Sequence, residues 1–475
     1  MQPVDVTPLD LDRLAGILPP QRAERLHAAA ERARGLLAGR VVWNLNSTAR
    51  GGGVAEMLRS LLAYGRGAGV DTRWIVVDGD PEFFAITKRL HNRLHGASGD
   101  GGPLDAAEHA HYRSVLADNL PQIAALVRPG DLVLLHDPQT AGLGAGLAAA
   151  GANVIWRCHI GADVPTTEST QGWEFLRPYL DGARGFVFSR RAYAPPWLPA
   201  DRIHVIAPSI DPFSLKNVDI GAADVAGALG RAGLLAGPPR SERVIRSNGD
   251  AVAVRRHDNL LIDGPPPPEH VRLVVQVSRW DRLKDMTGVL RAFVDSIDQL
   301  PPDVHLMLVG PDVSGVADDP EGAAVLAECI QLKRACDAAV RERIHLATLP
   351  MDDTDENAVL VNALQRHAAV ITQKSLVEGF GLTVTEAMWK ARPVVASAVG
   401  GIQDQIIDGR DGVLLTRPDD LPGFAAILAD LLGDQEAANR LGAAARARVR
   451  DQFLGDRHLE QYVDLFASLG TPTPA

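Results

Sequence analysis

Two series of short runs rich in Val, Ile and Leu, each run separated from the next by a helix-like stretch, constrain this chain more than any other feature. The first series comprises Val41 to Leu45, Trp74 to Val77, Leu132 to Leu135, Val154 to Trp156, Gly185 to Phe188 and His204 to Ile206. The second comprises Leu273 to Val277, His305 to Val309, Ile344 to Ala347, Ala369 to Thr372, Pro393 to Ser397 and Gly412 to Leu415. Strand signals alternating with helix signals specify an α/β fold. Runs that are nearly continuously apolar suit parallel strands covered by helices on both faces, rather than a half-exposed antiparallel sheet. The expected fold class is α/β, with two doubly wound, Rossmann-like domains. The length of 475 residues agrees, because single cores stop growing at roughly 250–300 residues.

Domain boundaries follow from the composition between the two series. Residues 1–216 form the expected first domain, 217–270 a linker with a mobile insert, and 271–454 the second domain. The linker runs from Ala/Gly-rich sequence into the charge-dense stretch Arg240 to Asp258 and then into Pro265-Pro266-Pro267-Pro268. Gly96 to Pro103 reads as a second flexible loop. Helices are expected over Leu421 to Leu432, Gln435 to Asp451 and Leu459 to Leu469, the last of them able to pack back on the first domain, with Thr471 to Ala475 a frayed tail.

Composition excludes several classes of function. The formal net charge is −11 and the basic residues are dispersed, so the electrostatic footprint of a nucleic-acid binder is missing. Three cysteines, Cys158, Cys329 and Cys336, make neither a disulfide framework nor a metal-ligand spacing, and no metal is expected. The first residues carry Asp5, Asp10 and Asp12 before any basic residue, unlike a secretory leader, and no apolar stretch reaches membrane-spanning length. The expectation is a cytoplasmic protein without membrane attachment.

Four places carry chemistry. Gly51-Gly52-Gly53 follows the first strand and opens a helix, where backbone N–H groups and the positive helix end suit an anion; a plain βα turn explains the same glycines equally well. Arg279 and Lys284 follow the first strand of the second series, where ligands of open α/β sheets bind, and together they match the charge of a diphosphate, although an isolated pair reads as surface charge. Glu378-Gly379-Phe380-Gly381-Leu382-Thr383-Val384-Thr385-Glu386 places two carboxylates eight residues apart. Thr383 and Glu386 also read as a capping box, whereas Glu378 has no comparable structural excuse. Finally, His136-Asp137-Pro138-Gln139 and Arg157-Cys158-His159-Ile160-Gly161-Ala162-Asp163 set polar groups at two strand ends beside the expected cleft.

The E-x7-E pair with Arg279 and Lys284 resembles the retaining GT-B glycosyltransferases of family four. Within that family, Asn44-Leu45-Asn46-Ser47-Thr48 with Gly51 to Glu56, Asp71 to Trp74, Phe83-Phe84 with Thr87-Lys88, His91-Asn92, Trp156 to His159 and Asp318 to Gly322 are similar to the trehalose glycosyltransferring synthases. The resemblance implies two domains facing each other across a cleft. It also implies donor contacts from Gly51, Gly52, Gly53, Arg279, Lys284, Glu378, Gly379, Phe380, Gly381, Leu382 and Glu386, with the two cations on the diphosphate, Glu386 on the ribose and Glu378 on the transferred glucose. His159 is placed near the reaction centre, making His159, Arg279, Lys284 and Glu378 the catalytic set. Asp80, Glu82, Asp137, Gln139, Arg157 and Asp163 are the acceptor-side candidates. The sequence departs from the family pattern between Leu235 and His270 and at Gly161-Ala162.

The implied reaction moves glucose from a nucleoside diphosphate glucose onto glucose, giving α,α-trehalose, reversibly in principle. A retaining outcome has the acceptor attack from the face the nucleotide leaves, its proton passing to the departing phosphate, with no obligatory cofactor or metal; Mg2+ assists at most. Glu378 and Glu386 are then binders, unlike the paired carboxylates of glycoside hydrolases. Partners are the small-molecule nucleotide sugar, glucose and trehalose, and a homodimer is implied by resemblance. The alternatives are a retaining trehalose phosphorylase, separable by whether phosphate alone releases glucose 1-phosphate from trehalose, and another family-four glycosyltransferase with a different sugar acceptor. A silent sugar-binding module predicts decay of the donor motif, whose four side chains are all present. The sequence leaves the nucleotide base open.

Overall fold

A computed structural model describes residues 1–49, 52–237, 243–245, 251–313 and 320–470. Gly51, Asp318 and Asp319, parts of the insert at 238–242 and 246–250, and the tail 471–475 lie outside the described residues. The chain divides into two compact units, Met1–Ser209 with Phe453–Ala475, and Ile210–Gln452.

The first unit is built on a seven-stranded sheet: β1 (Gln2–Val4), β2 (Val42–Asn46), β3 (Thr72–Val76), β4 (Leu132–His136), β5 (Asn153–Cys158), β6 (Gly185–Phe188) and β7 (Ile203–Val205). Its order is β1-β3-β2-β4-β5-β6-β7. All pairs are parallel except β1, which pairs antiparallel with β3 in the register Pro3 to Ile75. The apolar runs are buried on both faces, as parallel strands require. Trp43, Leu45, Val133, Leu135, Val154 and Trp156 join one core. Val42, Leu132, Leu134, Ile155 and Val187 join the other, under Val463 and Phe466 of the helix Gly455–Gly470. Burying each such side chain stabilises the fold by about 1.5–3 kcal/mol.

A hairpin of β8 (Arg243–Ile245) and β9 (Ala251–Ala253) precedes the second sheet. That sheet contains β10 (Leu261–Ile262), β11 (Arg272–Val277), β12 (Val304–Pro311), β13 (Ile344–Leu349), β14 (Val370–Gln373), β15 (Val394–Ser397) and β16 (Val413–Leu415), in the order β10-β13-β12-β11-β14-β15-β16. Again one edge strand, β10, is antiparallel and the others are parallel. The stretch 217–270, read from the sequence as a linker, contributes a packed helix, Ala222–Ala232, to the second unit. It buries Val225, Ala228, Leu229 and Ala232 and stops at Gly233, whose φ of +78° suits glycine. Further along, Arg255 donates from its backbone N and from Nε to the buried Glu356, each at 2.6 Å. Among the described residues, no helix is long and apolar enough to cross a membrane.

In each sheet, after the antiparallel edge strand, the parallel strands start in the middle at β2 or β11, run to one side, and then continue on the other. The direction of winding therefore switches between β2 and β4 in the first unit, and between β11 and β14 in the second. Strand ends that diverge at such a point leave a crevice for a ligand.

Candidate active site

The second unit's switch point gathers most of the donor residues expected from the sequence. The loop after β11 turns through a short 3-10 helix, Arg282–Lys284, capped by Asp281, whose carboxylate accepts from Leu283 N at 2.8 Å. That turn aims Lys284 at the loop after β14, where its Nζ lies 2.7 Å from Glu378 Oε2. Both side chains are largely buried, at 15% and 12% exposure, so the pair is only weakly screened by water. Ser375 Oγ donates to the same Glu378 oxygen at 3.3 Å. Arg279 is half exposed and donates to Asp281 Oδ2 at 3.0 Å.

Buried amides hold this loop pair from beneath. Gln276 accepts from Lys374 N at 3.2 Å and donates to the Lys284 carbonyl at 2.7 Å, tying the two loops together. The buried Lys374 ammonium donates to Asp285, the residue that also caps the helix Met286–Asp295. Gln405 donates to the carbonyls of Phe380 and Gly401 and accepts from Thr385 Oγ1. Sequence reasoning missed Gln276, Lys374, Ser375 and Gln405, because a buried polar side chain inside or after an apolar run has no periodic signature.

Glycine is required where the loop doubles back. Gly381 has φ +82° and caps the helix Leu382–Trp389; a Cβ there would stand 3.1 Å from Glu378 Cγ. At Gly401 a Cβ would fall 2.7 Å from the Phe380 Cα and 2.9 Å from the Gly379 carbonyl oxygen. Only a chain without side chains at these points allows the backbone of Gly379 to Leu382 to lie against Glu378 and the segment at 400–402. The capping-box reading of Thr383 and Glu386 is not realised. The N-cap is Gly381, and Thr383 Oγ1 donates instead to Gln373 Oε1 at 3.1 Å. Glu386 is buried, and one turn later Lys390 donates to the Glu386 carbonyl and to Asn217 Oδ1, each at 3.1 Å. Burial lowers the Lys390 ammonium to about 7, with Glu386 opposing the shift.

The first unit's switch point holds the histidine cluster. His136, ending β4, lies 3.0 Å from Asn44 Oδ1 of β2 through Nε2 and 3.1 Å from His159 Nε2 through Nδ1. Asp137 takes a left-handed turn, φ +62°, which lets Oδ1 accept from His159 N at 2.7 Å. Burial pushes its carboxyl up to about 7, against the opposing pull of the His159 N–H and Arg157. Arg157 is fully buried and donates to the His159 ring, to Tyr462 OH and to the Ile206 carbonyl. Burial, with Arg157 nearby, lowers His136 to about 3 and His159 well below its ordinary value.

The remaining expected residues are placed as follows. Gly52, φ +79°, is the exposed N-cap of the helix Gly53–Gly67. Asp80 caps the helix Pro81–Leu94 and faces His111 Nε2 at 2.9 Å, with Glu82 3.8 Å from the other ring nitrogen, so these two acids form a cluster with His111. Asp163 accepts from Arg190, and Gln139 is half-buried.

Two doubly wound sheets, each with polar loops at its switch point, define the GT-B class of glycosyltransferases. A solved α,α-trehalose-phosphate synthase (UDP-forming) from Burkholderia vietnamiensis shares the fold with a TM-score of 0.65 at 16% identity, covering 90% of this chain and 98% of that one. The model of the trehalose synthase N-terminal domain matches residues 44–195, and that of glycosyl transferases group 1 matches 261–448. The trehalose synthase of Pyrococcus horikoshii is 33% identical over 460 residues, 97% of this chain and 96% of its own length. That of Rubrobacter xylanophilus is 34% identical over 446 residues, 94% of each chain. The chain belongs to the trehalose synthase family of glycosyltransferases.

Proposed function

We propose that the protein transfers glucose from a nucleoside diphosphate glucose to free glucose with retention of configuration, producing α,α-trehalose. The observation that carries the reading is the Lys284–Glu378 pair at the second unit's switch point, with Arg279 on the same loop. Departure of a nucleoside diphosphate builds negative charge on its outer phosphate. A weakly hydrated ammonium and a guanidinium stabilise that charge more in the transition state than in the ground state, which is what accelerates a reaction. Glu378 is then the hydroxyl acceptor for the sugar being moved, its carboxylate oriented by Lys284 and Ser375. The αL turn at Gly381 supports this role by letting main chain approach the sugar closely.

On the acceptor side, His159 is neutral and fixed by its neighbours, and Asp137 is the nearest carboxyl group on the adjoining strand end. Retention follows if the acceptor hydroxyl attacks from the leaving-group face and passes its proton to the departing phosphate oxygen. No protein nucleophile enters that scheme. The names of the two relatives support trehalose as the product, and the donor motif supports a nucleotide sugar as the source.

The test is to incubate the protein with glucose and each of the ADP-, UDP- and GDP-glucose donors and to follow products by proton NMR. The expected outcome is α,α-trehalose with at least one donor. Formation of glucose 1-phosphate from trehalose and phosphate, without nucleotide, would sink the reading in favour of a phosphorylase.

A further inference from the structure

The C-terminal helix Gly455–Gly470 lies beyond both matched segments, 44–195 and 261–448, yet it reaches the histidine cluster of the first unit. Tyr462 OH accepts from Arg157 Nη1 at 2.9 Å, and the guanidinium carbon stands 5.7 Å from the Tyr462 ring centroid. The opposite side of the arrangement is braced as well. The Tyr462 ring stacks with His458 at 5.2 Å between centroids, and His458 Nδ1 is 2.8 Å from Ser209 Oγ. Next to it, Arg457 donates to the carbonyls of Ala207 and Pro208 at 2.7 and 3.1 Å.

From Tyr462 the contacts continue without a break to β2. The Arg157 Nε lies 3.2 Å from His159 Nε2 and 3.4 Å from Nδ1, its Nη2 donates to the Ile206 carbonyl at 3.0 Å, and the His159 ring is 3.1 Å from His136, which is 3.0 Å from Asn44. A guanidinium has donors and no acceptor, so His159 must offer it a lone pair. A ring that does so beside a buried positive charge stays neutral, and its one proton is confined to the other nitrogen. Arg157 itself has no exposed surface, so its influence on a substrate passes through His159.

We propose that Arg157 and Tyr462 are positioning residues that hold His159 neutral, in one tautomer and one ring orientation, for glycosyl transfer. The C-terminal helix is thereby a working part of the first unit's site, beyond its packing on the sheet. The groups that face His159 are Arg157 on its own strand, His136 and Asp137 at the end of β4, and His458, with Tyr462 and Arg457 behind Arg157 on the C-terminal helix. This inference rests on the proposed function for the placing of His159 beside the reaction.

The test is Tyr462→Phe, which keeps the ring and deletes only the hydroxyl, read by ring-15N NMR of histidine-labelled protein and by steady-state kinetics. The His159 signal is assigned by its loss in His159→Gln. The expected result is a single neutral tautomer in the wild type, a tautomer mixture in Tyr462→Phe, and kcat lowered about tenfold or more with the donor KM unchanged. Asn44→Leu, at the far end of the same chain of contacts, should move the same two readouts in the same direction. Unchanged His159 signals in both variants, or altered signals with wild-type kcat, would overturn the proposal. If the wild type makes no trehalose, the proposed function fails, while the ring spectra still judge the contact network separately.

Discussion

Lys284 and Glu378 face each other at 2.7 Å with little solvent around either. Deleting one therefore leaves the other's charge buried and uncompensated, on top of removing a group from the donor. Lys284→Met is expected to lower kcat by on the order of a hundredfold, the usual scale for losing one charge-stabilising donor, measured with the nucleotide sugar that supports turnover. Lys284→Arg should recover part of that loss, and a wild-type rate in the methionine variant would remove the residue from the site. Asp137 gives a second residue-scale prediction, this time in pH. Its folded-state value, raised to about 7 by burial, exceeds the ordinary value of 3.8. The folded state thus holds the proton more tightly, and the associated stability is present below pH 3.8 and lost as pH rises through 7. Asparagine tolerates the left-handed turn and still accepts from His159 N, without a charge to bury. Asp137→Asn should match the wild-type denaturation midpoint near pH 4 and exceed it near pH 8.

At the scale of elements, the segment from β14 to the helix Leu382–Trp389 is held by its own turn and by the neighbouring segment at 400–402. A Cβ at Gly401 would collide with Phe380 and Gly379 main chain, and backbone cannot rotate aside as a side chain can. Gly401→Ala should therefore displace Glu378 and raise the donor KM while leaving the first unit's fold unaltered, which kinetics and hydrogen exchange together would check. The long strands were legible in the sequence because a parallel strand buried on both faces is a nearly continuous apolar run, as Leu132–Leu135 and Leu306–Val309 illustrate. The edge strands β1 and β10 were not, because each is two or three residues long and pairs antiparallel, outside the alternation of helix and parallel strand that marks the others. The helix Ala222–Ala232 was legible as helix-like sequence, but not its place in the second unit, because packing against the helix Thr354–His367 is a contact between residues far apart in sequence. Arg279 and Lys284 stand out in the sequence because they follow a strand end, where ligands of open α/β sheets bind, and Glu378 because no capping role accounts for it; the structure brings Lys284 and Glu378 together. Gln276, Gln405 and Tyr462 matter through three-dimensional neighbours far away in sequence, and no local pattern announces that.

Over the whole molecule, the distribution of buried histidines sets how the protein responds to acid. Burial holds His136 at about 3 and His159 and His458 well below 6.5 in the first unit, with Arg157 adding to each. In the second unit, His345 is lowered to about 3, mainly by burial and then by His305. Each of these rings binds its proton less readily folded than unfolded. The stability they contribute is complete above pH 6.5 and drains away as pH falls toward the folded values, at up to about 1.4 kcal/mol per pH unit for each proton taken up on unfolding. Asp137 works in the opposite direction between about 7 and 3.8, joined by Glu460, which burial also raises, but burial lowers His109 and His204 of the same unit along with the three histidines above. The expected outcome is a denaturation midpoint that is flat above pH 7 and falls increasingly steeply below 6. Because the first unit carries three of these histidines, hydrogen exchange near pH 5 should show β4 and β5 opening before β12 and β13. His458→Gln and His345→Gln should each reduce the acid slope, the first by protecting β4 and β5 and the second by protecting β12 and β13. Equal opening of both sheets at pH 5 would show that the buried histidines do not govern acid stability.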